Sequence, residues 1–280
     1  MRLQDKVILI TGSTTGIGEA MARRCVAEGA RVLLHGRTAE RGRRLTEELG
    51  SNTAFHLDDL ADSQSAQRMV DAALRAFGRL DALVNNAADN RRAHLEQTTP
   101  AFFDQIMAVN LRAPLLLIRA ALEPLAAARG AVLNIGSVLA YCGQANLLAY
   151  SVSKGGLVTL TRNLADTLGP RGVRVNQLNV GWTLTENEYH VKLRDGLPAD
   201  WPNHLPAYAV PSGRLLQPCQ IAAAAVYWLG DESRPVTGSV VDIEQYPVIG
   251  RIPNQERSAP SPVSSASLET TPNSIPHALT

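Results

Sequence analysis

Hydrophobic positions along the chain fall into two alternating patterns. Short, nearly continuous apolar runs occur near Val7–Thr11, Arg31–His35, Thr53–Leu57, Ala82–Asn85, Val132–Gly136, Arg174–Leu178 and Ser239–Ile243. Runs of that length, rich in Val, Ile and Leu, predict strands buried on both faces. Between them apolar residues recur at helical spacing, as with Ile17, Ala20, Met21 and Cys25. Strand and helix in alternation predict an α/β fold, a single doubly wound parallel sheet of about seven strands with helices on both faces. Right-handed crossovers then bring the carboxyl ends of the strands to one edge, where Gly12, Asn85, Ser137 and Gly181 fall. No repeat of fixed period interrupts the alternation. After Arg251 the composition shifts to Ser, Pro, Thr and Asn. Residues 1–250 are therefore expected to form the domain, and 251–280 a disordered tail.

The first strand runs into Gly12-Ser13-Thr14-Thr15-Gly16-Ile17-Gly18 and then into a helix. Strand, glycine turn and helix make a dinucleotide cradle. The glycines let backbone approach a pyrophosphate, and the helix start offers free N–H groups and a positive dipole end. The spacing, Gly-x-x-x-Gly-x-Gly, departs from the general Gly-x-Gly-x-x-Gly fingerprint, and such a trio alone also suits an ordinary turn.

A second pattern gives the cradle a partner. Tyr150 and Lys154 stand at i and i+4 in Ala149-Tyr150-Ser151-Val152-Ser153-Lys154, and Ser137 closes an apolar run upstream. On a helix, i and i+4 share a face, so the ammonium can lie under the phenol. A free phenol titrates near pH ~10, and bringing it to neutrality takes roughly 4 kcal/mol of charge and hydrogen bonding. A phenol so tuned is a general acid/base for an alcohol and its ketone.

With Asn85-Asn86-Ala87-Ala88 and Asn110 added, the chain resembles the short-chain dehydrogenase/reductase family from about Leu3 to about Ile249. The resemblance implies a Rossmann-type NAD(P)-binding catalytic domain. It implies a tetrad of Asn110, Ser137, Tyr150 and Lys154, with Tyr150 as acid/base and Ser137 polarising the substrate oxygen. Lys154 would hold the nicotinamide ribose and lower the tyrosine pKa, and Asn110 would hold a proton-relaying water. Cofactor contacts are expected from Gly12, Ser13, Thr15, Gly16, Ile17, Gly18, Asp59, Leu60, Asn86, Ala87, Tyr150, Lys154, Gly181, Thr183 and Thr185. Asp59 would meet the adenine, with Asp58 a solvated neighbour. At the end of the second strand Gly36 stands where relatives that prefer NAD carry an acid, and Arg37 follows. Arginine suits a 2′-phosphate, so NADP is favoured over NAD, although no second basic residue stands at position 14 or 15.

Composition narrows the partners. At 280 residues, 45% hydrophobic and net charge +1, the chain can bury one large core, and no nucleic-acid partner is implied. The apolar stretch Ala113–Leu125 is broken by Arg119 and Glu123, so no membrane span is expected. The chain enters a strand within a few residues, leaving no room for a signal peptide, and Cys25, Cys142 and Cys219 form no pair, so a reducing cytoplasmic setting is expected. His190 and His204 lack a third spaced ligand, and no metal site is expected. Helices near Phe102–Leu125 and Tyr150–Leu168 carry more apolar residues than one sheet face needs (Leu111, Leu115, Leu116, Leu122, Val158, Leu160), which with the resemblance implies a homodimer or homotetramer. Glu244-Gln245-Tyr246 replaces the family's Asp-Gly-Gly and puts the tetramer contact in doubt.

For the substrate, Val180-Gly181-Trp182-Thr183-Leu184-Thr185 and the long segment to Arg214 predict a lid. Its Glu186, Glu188, Tyr189, His190, Trp201 and His204, with Asp89, Asn90, Arg91, Arg92, Gln144 and Asn146, form a polar rim. Each taken singly is a solvated loop residue. Together they suit a sugar, polyol or hydroxy acid. A non-catalytic NAD(P)-binding sensor on the same fold is the alternative, with no use for Ser137, Tyr150 and Lys154 together. Epimerases use another glycine spacing, and enoyl reductases set tyrosine and lysine further apart.

Overall fold

A computed structural model describes residues 1–250; the expected tail lies outside the described residues. In chain order the elements are β1 (Val7–Ile10), α1 (Gly16–Ala27), β2 (Arg31–Gly36), α2 (Ala39–Leu49), β3 (Thr53–Leu57), α3 (Ser65–Phe77) and β4 (Ala82–Asn85). Then follow α4 (Pro100–Met107), a π turn (Ala108–Arg112), α5 (Ala113–Ala120), α6 (Leu122–Ala127), β5 (Ala131–Ser137), α7 (Leu148–Leu168), β6 (Arg174–Val180), α8 (Glu186–Arg194), α9 (Pro218–Leu229) and β7 (Val240–Ile243). The strands form one seven-stranded sheet in the order β3-β2-β1-β4-β5-β6-β7. Every neighbouring pair is parallel.

The continuous apolar runs follow from cover on both faces. Along β1, Ile8 and Ile10 enter a core with Met21 and Cys25 of α1, Leu45 of α2 and Ile221 and Leu229 of α9. Val7 and Leu9 point the other way, into a core with Met69 of α3, Leu117 of α5 and Leu168 of α7. Successive strand residues face opposite sides, so a strand with two dry faces has no polar alternation. Each such side chain, fully buried, contributes about 1.5–3 kcal/mol.

Three expectations are corrected. The helix near Phe102–Leu125 begins at Pro100, where Thr99 accepts a hydrogen bond from Phe102 N and proline occupies the first turn, and its middle widens into the π turn. Counted from Pro100, the stretch to Ala120 is long and apolar enough, by length and composition alone, to cross a membrane. Reading from Ala113 missed this, because the π turn continues the helix through Asn110. Here the stretch packs on the domain instead, with Ile106, Ala113, Leu117 and Ile118 buried. Val158, expected on an exposed face, is buried, and Leu116 and Leu122 pack on the α3 side of the core. Leu115 remains exposed.

Candidate active site

β1 hands the chain to α1 through the glycine turn. A Cβ on Gly18 would fall on the carbonyl oxygen of Gly12 and within 2.5 Å of Asn86 Nδ2. That lost volume lets the helix start meet the turn. Asn86 Nδ2 donates to the carbonyls of Thr11 (2.9 Å) and Gly12 (3.1 Å), while Asn86 N and Ala87 N donate to Thr11 Oγ1 at 2.9 and 3.1 Å. The Asn-Asn-Ala-Ala turn thus braces the loop. Thr15, the N-cap of α1, makes no side-chain cap hydrogen bond, so the first N–H groups of α1 are left for a ligand. The dinucleotide cradle fits an anionic pyrophosphate on these grounds.

Within it, Ser13 is not where expected. Its side chain is fully buried and accepts a hydrogen bond from His35 N at 2.9 Å, and its own N–H donates to the His35 carbonyl at 2.9 Å. Both polar groups are spent on β2. Ile17 packs on the core with α1 and α9, and Leu60 is buried in the core on the other face of the sheet. Asp59 is exposed, its Oδ1 accepting from Ala61 N at 2.9 Å. Asp58, expected to be solvated, is held by Arg68 at 2.7 and 2.8 Å and by His56 at 3.1 Å. Arg68 foremost depresses its carboxyl to about 2. Arg37 is exposed, and a Cβ on Gly36 would stand 2.6 Å from Thr14 Oγ1.

At the same edge Ser137 ends β5 and Tyr150 and Lys154 lie in the first turns of α7. Ser137 Oγ stands beside the Tyr150 phenol, favouring its ionised form, and accepts from Leu139 N at 3.2 Å. Lys154 Nζ lies 5.5 Å from the Tyr150 ring centroid, as the i to i+4 spacing predicts, and donates to the Ile135 carbonyl at 2.8 Å. The expected depression of the phenol is absent. Burial pushes Tyr150 up to about 12, outweighing the opposite influence of Ser137, and the Glu188 charge adds to the rise. Burial also lowers Lys154 to about 8. The ammonium faces the ring and spends a proton on Ile135, so the chain by itself leaves the phenol protonated at neutral pH.

Asn110 joins this group through the π turn. Its Nδ2 donates to the Asp89 carbonyl (2.9 Å) and to Ser153 Oγ (3.0 Å), and its Oδ1 accepts from Asp89 N at 2.7 Å. Both amide protons of the side chain are thus taken by protein. Ser153 Oγ donates to the Tyr150 carbonyl at 2.6 Å, linking Asp89, Asn110 and α7. Ser153 and His35 were not singled out from sequence. Ser153 carried a signal, since a helical serine reaches the carbonyl three residues back. So did His35, a polar residue following the apolar run Val32-Leu33-Leu34.

The segment after β6 builds its own small core rather than a solvated loop. Leu184, Tyr189, Trp201, Val210 and Leu215 are buried together, Trp182 stacks on Trp201 at 5.7 Å, and Tyr189 Oη donates to the Ala199 carbonyl at 3.0 Å. Trp201 and Tyr189 thus hold the lid and are not solvated. Thr183 is buried, its hydroxyl donating to the Gly181 carbonyl at 3.1 Å, and Thr185 caps α8 by accepting from Glu188 N. His204 is exposed beside Asp200 at 2.8 Å, and His190 lies edge-on to Tyr189. Gln144 and Asn146 bond to each other at 3.1 Å, and Arg91 pairs with Asp89.

Known proteins share this fold. A family model described as enoyl-(acyl carrier protein) reductase matches residues 12–245. The chain is 37% identical over 240 residues to L-fucose dehydrogenase of Mus musculus, covering 85% of this chain and 86% of that protein. It is 36% identical over 247 residues to D-threitol dehydrogenase of Mycolicibacterium smegmatis, covering 87% and 93%. The crystal structure of 3-ketoacyl-(acyl-carrier-protein) reductase from Brucella melitensis complexed with NADH superposes with a TM-score of 0.77 at 31% identity, covering 86% of this chain and 97% of that one. A parallel sheet with the glycine turn, Ser137, Tyr150 and Lys154 at its carboxyl edge, matched over nearly the full length of such proteins, places the chain in the short-chain dehydrogenase/reductase family of NAD(P)-dependent oxidoreductases.

Proposed function

We propose that the protein interconverts an alcohol and a ketone on a small polar substrate, a sugar, polyol or hydroxy acid, with Tyr150 as general acid/base. One observation carries this reading: the Tyr150 phenol stands beside Ser137 and is backed by Lys154 at the edge that also holds the dinucleotide cradle. The relatives that act on L-fucose and D-threitol support a polyhydroxylated substrate. The nicotinamide, when bound, supplies the hydride acceptor or donor. Tyr150 Oη holds the proton that leaves or joins the substrate oxygen, and Ser137 Oγ, beside the phenol, orients that oxygen by a hydrogen bond. Lys154, buried and cationic below about pH 8, is the charge available to the phenolate and to a ribose hydroxyl. Because the phenol titrates near 12 in the chain alone, Tyr150 is ready as an acid for reduction. Oxidation needs additional positive charge beside it. The rate of oxidation should therefore rise with pH through one ionisation lying below 12, and a flat profile with chemistry rate-limiting would contradict this.

NADP is the favoured cofactor, supported by Gly36 and the exposed Arg37. The test is an oxidation and reduction screen with both cofactors, followed by absorbance of the reduced nicotinamide. Tyr150→Phe should lower turnover at least ~10²-fold while cofactor binding persists. Binding without turnover on every substrate would favour the sensor reading instead.

A further inference from the structure

Glu188 is held at the cleft by groups from three parts of the chain. Trp182 Nε1 donates to Glu188 Oε1 at 2.9 Å, and Arg92 Nη2 and Lys192 Nζ each approach the same oxygen to 3.8 Å. Arg92 also pairs with Asp195, which stands 3.9 Å from Lys192. Two acids and two bases thus close on one another. The next rim pair, Arg91 with Asp89 at 2.6 Å, is closed as well.

This network is tied to the elements that carry the reacting groups. Arg92 precedes Ala93, whose N–H donates to the Asn146 carbonyl at 3.0 Å and which pairs with Leu147 just ahead of α7 and Tyr150. Trp182 follows the end of β6, the strand beside Ser137. Thr185, at the start of α8, stands 3.4 Å from where a Cβ of Gly16 would be, so the first turn of α8 overhangs the cradle. Glu188 sits in that turn, and its charge acts on the Tyr150 phenol.

Among the described residues the side-chain hydrogen bond to Glu188 reaches Oε1, and the closest approaches of Arg92 and Lys192 are to that oxygen too. A carboxylate accepts through both oxygens, so Oε2 keeps acceptor capacity for a ligand. Hydroxyl groups donate to it with charge-assisted strength, whereas a second carboxylate meets repulsion. The three cations around Glu188 on this side of the rim, Arg91, Arg92 and Lys192, are each faced by an acid. None of these three is free to receive an anionic substrate.

We propose that Glu188 is the specificity-determining residue of this site, accepting a hydrogen bond from a hydroxyl of an uncharged polyhydroxylated substrate and excluding hydroxy acids. The inference rests on the oxidoreductase reading above and narrows its substrate class.

The experiment compares kcat/KM for threitol, xylitol and L-fucose with that for the matching aldonates, threonate, xylonate and L-fuconate. Wild type should favour the neutral member of each pair. Glu188→Gln keeps an acceptor for Trp182 and removes the charge. It should collapse that preference about 10- to 100-fold, chiefly through KM. It should also move the ionisation that governs alcohol oxidation to lower pH, a change that a merely structural role would not produce. Trp182→Phe keeps the ring stack and loses the donor that aims Glu188, and should shift selectivity the same way by less. Equal losses on both members of each pair in Glu188→Gln, or a wild type that prefers aldonates, would overturn the assignment of Glu188. Alcohol turnover that Tyr150→Phe abolishes upholds the oxidoreductase reading whichever way Glu188 falls. No turnover on any member with either cofactor overturns both.

Discussion

One missing methyl group at Gly36 ties cofactor choice to a neighbour on the glycine turn. A Cβ there would meet Thr14 Oγ1 at 2.6 Å and Cγ2 at 2.9 Å, so an acid at position 36 cannot enter while Thr14 stays put. Gly36→Asp alone should weaken NADH and NADPH together. Combined with Thr14→Ala it should favour NADH, because the carboxylate then reaches the free ribose hydroxyls and repels a 2′-phosphate. Arg37→Ala should weaken NADPH by roughly 10- to 100-fold and leave NADH nearly unchanged, as loss of a partly shielded guanidinium–phosphate contact requires. Fluorescence titration of both reduced cofactors against the three variants checks each statement. Equal weakening of the two cofactors in Arg37→Ala would make Arg37 a solvated surface charge.

Between elements, His35 of β2 spans from the glycine turn to the end of β3. Its Nδ1 accepts from Gly12 N at 3.2 Å, and its Nε2 faces the Asp58 carbonyl at 3.2 Å, which fits one neutral tautomer with the proton on Nε2. Burial holds its pKa down at about 4. The unfolded chain takes up this proton near pH ~6.5 and the folded one near 4, so the contribution to stability is whole above the first value and is lost as pH falls toward the second. Its size is on the order of 3 kcal/mol. Urea unfolding of wild type and His35→Gln across that window should show the steeper acid loss in wild type; parallel curves would remove His35 as the cause. The strand carrying it was legible in sequence because Val32, Leu33 and Leu34 are buried on both faces. Tyr150 over Lys154 was legible for a local reason, one turn of helix. The fates of Ser13 and Asp58 were not, since His35, Arg68 and His56 claim them across the fold. The π turn was equally hidden, because apolar periodicity fixes which face is buried and is blind to one wide turn. Trp201 and Tyr189 were misjudged because a lid with its own core reads, residue by residue, like a polar loop.

At the scale of the molecule, the face of α5 and α7 bears on assembly. Leu115 and Val152 are 42% and 49% exposed, whereas Val158 is taken by the core. A pair of copies joined there would cover the two exposed residues, so Leu115→Glu with Val152→Glu should convert a dimer into a monomer in sedimentation. A wild type that already sediments as a monomer would end the dimer expectation. The sheet order has a further consequence. β1 pairs with β4, so β1 to β3 lie on one side of that seam and β5 to β7 on the other. The glycine turn, His35, Gly36, Arg37 and Asp59 all belong to the first stretch of chain, while Ser137, Tyr150, Lys154 and α8 belong to the second. A chimera joined between α3 and β4 should therefore exchange cofactor preference and retain substrate preference, as kcat/KM with both cofactors would show, with the Asn86 to Thr11 and Gly12 hydrogen bonds as the stitch that must survive the graft.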